Sequence, residues 1–238
     1  MRTLGVIAGA GIVTSIACLA LANAIDPSVY TMDRHGFVFA GCTVPAENSP
    51  NGTQELAWNG DNVVTINVPA TVHYRPGAGL TVHASGPNEL MSHLRVRDGR
   101  IELDCNLSGF DRELDLVLPG RAFRTFTLNG TGHLVLENLD QPALNVNLRG
   151  AGDVRATGMA EDLSLTMAGA GKADLGHLSV QRSKVRIAGS GEAELAPKDS
   201  ADITIAGTGE IRFLEQPRHL QTHIAGAGRI INAPTQGL

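Results

Sequence analysis

Six copies of a Gly-x-Gly tripeptide mark off the second half of this chain: Gly130 with Gly132, Gly150 with Gly152, Gly169 with Gly171, Gly189 with Gly191, Gly207 with Gly209 and Gly226 with Gly228. Successive copies lie 20, 19, 20, 18 and 19 residues apart. Such even spacing is an internal repeat, and it outranks any local reading of secondary structure. The flanks repeat as well. Leu128, Leu148, Met167, Ile187, Ile205 and Ile224 stand two residues before the first glycine, and Leu134, Val154, Ala173, Ala193, Ile211 and Ile230 two residues after the second.

Within each repeat, apolar residues alternate with polar or small ones, as in Leu163-Ser164-Leu165-Thr166-Met167 and Val185-Arg186-Ile187. That is the period of a strand with one buried face. A unit of this length cannot bury its apolar side alone, whereas stacking units about 4.8 Å apart buries it in a continuous column. The expected fold is therefore all-β, a parallel β-solenoid with rungs of about nineteen residues. Leu139, Met159 and Leu178 suggest a second inward strand on each rung. The paired glycines share the parity of the inward residues, and the spacing does not say whether they mark a corner or a bulge.

Upstream the pattern loosens into shorter apolar runs, Val63 to Val68, Leu80 to Val82, Leu94 to Val96, Ile101 to Leu107 and Leu114 to Leu118. Turn signals separate them at Pro76-Gly77, Asp98-Gly99 and Pro119-Gly120. Residues 60–232 are read as the solenoid, 26–59 as a linker or N-terminal cap, and 233–238 as a tail. Residues 1–25 read as a signal peptide or signal anchor: Arg2 is followed by no charge from Thr3 to Ile25, and Ala22-Asn23-Ala24 offers a small-x-small cleavage site. A lipoprotein signal at Cys18 is the weaker third form, lacking a leucine three positions upstream. Everything after Asp26 is then extracytoplasmic, in the periplasm, anchored at the inner membrane or at the cell surface. Membrane contact is expected only through residues 3–25, if they are retained. In such a compartment Cys42 and Cys105 can form a disulfide, although Cys105 shares the parity of Ile101 and Leu103 and also suits a buried thiol.

Taken together, Val96-Arg97-Asp98-Gly99-Arg100-Ile101-Glu102-Leu103, then Leu114-Asp115-Leu116-Val117-Leu118-Pro119, then serial units such as Leu148-Arg149-Gly150-Ala151-Gly152-Asp153-Val154, resemble the bacterial GIN-domain family of autotransporter adhesin heads. The likeness spans roughly residues 60–232. It implies a right-handed parallel β-helix in the bacterial envelope and brings no catalytic residues with it. Unlike an autotransporter, this sequence has no alternating barrel segments after the repeats, so self-export through its own barrel is not expected.

Composition narrows the chemistry. Nineteen Lys+Arg against twenty-four Asp+Glu give a net charge of −5, which leaves no basic surface to displace counterions from a nucleic-acid backbone. Nucleotide readings of the glycines fail on spacing. Asp174 stands where a dinucleotide fingerprint needs its third glycine, and Gly171-Lys172 lacks the other P-loop residues. Calcium-binding nonapeptides are excluded by the repeat length. No cofactor or metal site is expected: there is no Cys/His cluster, and His219 and His223, spaced for a helix, would stand about 13 Å apart on a strand.

Two outward features remain. The residues after each motif, His133, Asp153, Lys172, Glu192, Glu210 and Arg229, should form one ladder of mostly opposite charges, Asp153 beside Lys172 beside Glu192 and Glu210 beside Arg229. The competing reading takes Glu192 and Glu210 as a paired acid and base of a polysaccharide enzyme, but from Gly130 onward the only aromatic platform is Phe213. The second feature is a strip of very small residues, Ala168, Ala170, Ala188, Ser190, Ala206, Thr208, Ala225 and Ala227. It could admit a partner surface, another copy of the chain or the N-terminal segment, or simply fill a tight corner. The sequence thus points to a non-enzymatic binding or adhesion module whose partner is a protein or glycan surface. A periplasmic scaffold for protein contacts is the alternative, and a polysaccharide-active enzyme the third reading.

Overall fold

The computed structural model describes residues 49–105 and 113–232, together with the backbone of Tyr30–Asp33 and Gly36–Phe39. The leader segment 1–25, the tail 233–238 and Cys42 lie outside the described residues. The chain divides into two units, Met1–Val44 with Cys105–Phe110, and Pro45–Asp104 with Asp111–Leu238. In the first, β1 (Tyr30–Asp33) and β2 (Gly36–Phe39) form an antiparallel pair. Cys105 is disulfide-bonded.

The second unit is a β-solenoid of about five turns. Four long strands each make a full turn, alternating along the straight segments and breaking that alternation at corners, as where Gln181 and Arg182 are both exposed: β11 (Gly132–Gly150), β12 (Asp153–Gly169), β13 (Lys172–Gly189) and β14 (Glu192–Gly207). Before them come β4 (Val63–Ile66), β5 (Ala70–Tyr74) and β10 (Thr125–Gly130), and after them β15 (Glu210–Phe213), β16 (His219–Gly226) and β17 (Arg229–Ile231). All these neighbours pair in parallel. The register aligns Gly130, Gly150, Gly169, Gly189, Gly207 and Gly226 in one column. Two residues earlier, Ile66, Leu128, Leu148, Met167, Ile187 and Ile205 form a buried ladder that ends at the exposed Ile224. Each such side chain is worth about 1.5–3 kcal/mol when fully buried, so the column supplies the cohesion that a single rung lacks.

From Gly189 onward the two glycines of a motif answer to different constraints, whereas at Gly169 and Gly171 both would meet a glycine carbonyl of the rung below. At Gly189 φ is +131°, and a Cβ there would run into the backbone carbonyl of Gly169 in the rung below. The next glycine, Gly191, has ordinary φ but faces inward, where a Cβ would come within 2.9 Å of the Met167 side chain. Gly209 and Gly228 repeat this second role one and two rungs on. A Cβ at Gly209 would come within 2.7 Å of the Ile187 side chain, and one at Gly228 within 2.5 Å of Ile205. Gly209 is buried like Gly191, whereas Gly228, on the last rung, is only half-buried. The motif is thus a corner at which rungs stack backbone to backbone. Its middle residue ties them, Ala170 N–H to Gly150 C=O, Ser190 to Gly169 and Thr208 to Gly189, each at 2.9 Å. The second glycine takes part as well, its carbonyl accepting the N–H of Glu210 at Gly191 and of Arg229 at Gly209, both at 3.0 Å.

The irregular opening closes the first end of the stack. β3 (Asn51–Ala57) pairs antiparallel with β6 (Thr81–Pro87), which pairs antiparallel with β9 (Leu114–Val117). A four-residue helix, α1 (Asn88–Met91), follows β6. β7 (Leu94–Arg97) and β8 (Arg100–Leu103) make a hairpin across Asp98-Gly99, both in positive φ as a two-residue turn demands. Beneath this cap Trp58, Tyr74, Phe123 and Phe126 pack edge-on or tilted, with centroids 4.9–6.0 Å apart. Trp58 lies in the stretch read as linker or cap, and its indole N–H donates to Gly60 C=O at 2.7 Å.

One inward expectation is corrected. Leu139 and Leu178 are buried, but Met159 is 56% exposed. The register slips between Arg155 and Gly158, so Gly158 stands in line with Leu139 and Leu178, and Met159 falls on the outer face beside Asp140 and Ser179. The cause is a turn one residue shorter on this rung: Ala156 to Gly158 does what Leu136 to Leu139 does below it.

Two stability results follow. Gly189→Ala should cost about 1–3 kcal/mol in urea unfolding, and Gly130→Ala less, because nothing lies within 4 Å of a Cβ at that position. Ser183 is buried between Leu163 and Ala201, with no partner for its hydroxyl among the described residues. Ser183→Ala should therefore raise stability by about 1 kcal/mol in the same assay.

Candidate functional surface

The strand segments after each motif stack into one sheet, and their outward positions form two adjacent ladders. The first runs Thr71, His133, Asp153, Lys172, Glu192, Glu210, Arg229. The second, two residues further along each rung, runs His73, Val135, Arg155, Asp174, Glu194, Arg212, Ile231. The second ladder was not recognised from sequence. Arg155 and Asp174 stand one repeat apart, so the same period could have revealed it.

Ion pairs tie the ladders along the stack. Arg155 Nε lies 2.9 Å from Asp174 and Arg229 Nε 2.6 Å from Glu210, while Arg212 reaches Glu210 from the same rung at 3.6 Å. The Arg229 hydrogen bond, aided by the charge of Arg212, holds the Glu210 carboxyl below its ordinary range. The expected Lys172 pairing with Asp153 takes another form. Asp153 Oδ1 accepts the backbone N–H of Lys172 at 3.1 Å, and its Oδ2 lies 3.5 Å from His133 Nδ1. A short carboxylate at this corner is captured by the adjacent backbone, and Lys172 makes no ion pair among the described residues. A depression of about 320 Å³ lies over this part of the sheet, bordered by His133, Val135, Asp153, Arg155, Lys172 and Asp174.

Glu192 and Glu210 are neighbours in register. Yet Glu210 is clamped as an anion by two arginines, the opposite of the raised carboxyl that protonates a glycosidic oxygen at neutral pH. His219 and His223 lie exposed on β16.

At the motif corner Arg149, Ala168, Ala188, Ala206 and Ala225 are in register, and all are exposed. Beside them Ala151, Ala170, Ser190, Thr208 and Ala227 are exposed between their glycines. From Ala168 and Ala170 onward the two columns make a strip with almost no side-chain relief, bounded at one end by Arg149. On a third edge Arg182 grips Asp162 through Nε at 2.6 Å and Nη2 at 3.0 Å, and Glu161 through Nη2 at 2.9 Å. Asp162 and Arg182 stand seven residues before the first glycine of consecutive motifs and are partners in register, so the repeat could have revealed this pair too. Its hydrogen bonds, with Arg182's charge, lower the Asp162 pKa. Among the described residues no helix is long and apolar enough to cross a membrane.

Residues 82–217 match the family model described as "putative auto-transporter adhesin, head GIN domain". A crystal structure described as a "putative adhesin" from Bacteroides fragilis is similar with a TM-score of 0.63 and 18% identity, covering 80% of this chain and 99% of that one. A "putative adhesin" from Parabacteroides distasonis reaches a TM-score of 0.44 at 14% identity, covering 78% of this chain and 98% of that one. No curated protein matches the sequence.

Asp162 and Glu210 ionise more readily in the fold than in an unfolded chain. The stability they add is complete above the ordinary carboxylate range and is lost as pH falls through their depressed values. In an NMR carboxyl titration, Arg182→Ala should return Asp162 to the ordinary range and leave Glu210 depressed, and Arg229→Ala should raise Glu210 alone.

Proposed function

The chain belongs to the head GIN-domain family of auto-transporter adhesins, and from that premise we propose that it is a non-enzymatic binding module of the cell envelope or surface. The observation that supports this most is the corner strip. Backbone hydrogen bonds from rung to rung fix its position, its side chains are small and exposed, and the charged ladders lie on the next sheet. A partner surface can come close to the backbone there without first displacing long side chains, and side-chain ordering is one of the costs of association. The ladders alongside offer fixed charges of both signs, which set orientation more than affinity. The partner is a protein or glycan surface, and no cofactor takes part. Export ahead of the solenoid, by the segment 1–25, belongs to the same proposal, as does a place in the periplasm, at the inner membrane or on the cell surface.

Protease shaving of intact cells, with fractionation and the mass of the processed chain, tests the reading. Cleavage of the repeats from outside supports surface adhesion, whereas protection with retention in the periplasmic or inner-membrane fraction supports a scaffold inside the envelope. Ala188→Glu with Ala206→Glu should abolish attachment to the partner surface while far-UV circular dichroism stays unchanged. Hydrolysis of a polysaccharide that disappears in Glu192→Gln or Glu210→Gln would overturn the non-enzymatic reading.

A further inference from the structure

The solenoid ends differently at its two ends. The first is closed by the antiparallel cap and its four aromatic rings. At the other, among the described residues β16 pairs only with β14 and β17 only with β15, so each keeps a backbone edge unpaired by any of them. The inner columns run out here into solvent. Leu220 and Ile224, which continue the buried Ala201 and Ile205, are 37% and 41% exposed. A strand edge of this kind, apolar on one side and eight residues long, is a template for another strand.

The order of residues along β16 specifies which strand fits. Its inward positions are Leu220, Thr222 and Ile224, and its outward positions His219, Gln221, His223 and Ala225. Run antiparallel to itself about Thr222, the strand sets Leu220 opposite Ile224 and Thr222 opposite Thr222. On the outer side Gln221 faces His223 and His219 faces Ala225. Every inward residue meets an inward one, two large aliphatics cover each other twice, and the central threonines can share a hydrogen bond, a favourable cross-strand pair. No carboxylate or permanent cation is set against its own kind, and the nearby Arg229 is already held by Glu210. An isologous dimer needs such a self-complementary patch.

We propose that β16 is a homodimerisation edge: two copies of the chain join end to end through antiparallel β16 strands centred on Thr222, continuing both inner columns across a two-fold axis. The caps at β7–β8 then lie at the far ends of the assembly. The interface meets the corner strip only at its last rung, Ala225, so Ala188 and Ala206 of the strip and Leu220 and Ile224 of the edge can be tested apart.

Sedimentation velocity of the purified full chain over a range of concentrations should show the mass doubling. Leu220→Lys with Ile224→Lys should weaken the association about tenfold or more with unchanged circular dichroism. Under mild oxidation Thr222→Cys should be trapped as a covalent dimer to a greater extent than the unsubstituted chain, since the axis brings the residue against itself, whereas His219→Cys, which faces Ala225, should not. A single-chain mass at every concentration with no trapping at Thr222, as expected if residues 233–238 or a following segment cover the edge, would overturn the proposal. So would equal trapping at positions 219 and 222.

Discussion

The close approach of one backbone to the next at the first glycine of every repeat from Gly150 onward is the constraint on which the rest of the solenoid depends. With a Cβ at Gly169, Gly189 or Gly207, the carbonyl of the rung below would have no room, and the N–H of the following residue could not reach it. Once that contact is made the register is set, and with it every ladder. The aliphatic residues two positions away fall over one another, and the outward residue after the motif falls above its counterpart. Hydrophobic cohesion holds the stack together, but the glycine corner decides which residues meet.

The same constraint shapes the surface. Because rungs cannot slip past the corner, exposed side chains are fixed relative to one another over several rungs, and the charge pairs Arg155–Asp174 and Arg229–Glu210 form between residues nineteen positions apart. A flat strip of alanine, serine and threonine beside these ladders is a by-product of corner geometry that also suits contact with another surface. The ends escape the repeat logic and differ from each other: one carries an antiparallel cap, and at the other, among the described residues, β16 has a partner on one side only.

Much of this was legible in the sequence because solenoid contacts are nearly periodic: the glycine column, the Leu128 to Ile205 ladder and the order His133 to Arg229 all follow from counting. The counting fails where the period does. A turn one residue shorter sends Met159 outward and puts Gly158 in its place, and nothing in the local pattern of Thr157-Gly158-Met159-Ala160 announces the slip. Counting also treats both glycines of a motif alike, whereas Gly207 is required by the backbone beneath it and Gly209 by the Ile187 side chain. The antiparallel pairing of β3 with β6 was hidden too, since these strands lie outside the repeat and meet through sequence-distant contacts. Side-chain partners were legible only as neighbours. Register placed Asp153 beside Lys172, but the short carboxylate bonds to the backbone N–H of Lys172, leaving the ammonium uncommitted. The repeat also places Arg182 over Asp162, seven residues before the glycine in each case, but not the reach of the same guanidinium to Glu161.

Through-hydrogen-bond scalar couplings measured by NMR test the central claim most directly, because they identify which carbonyl each amide reaches. The account predicts couplings from the amide of Ala170 to the carbonyl of Gly150, from Ser190 to Gly169 and from Thr208 to Gly189, all between successive repeats. Couplings from these amides to carbonyls within their own repeat, or to a neighbouring repeat displaced by a residue, would contradict the backbone-to-backbone corner and the ladders derived from it.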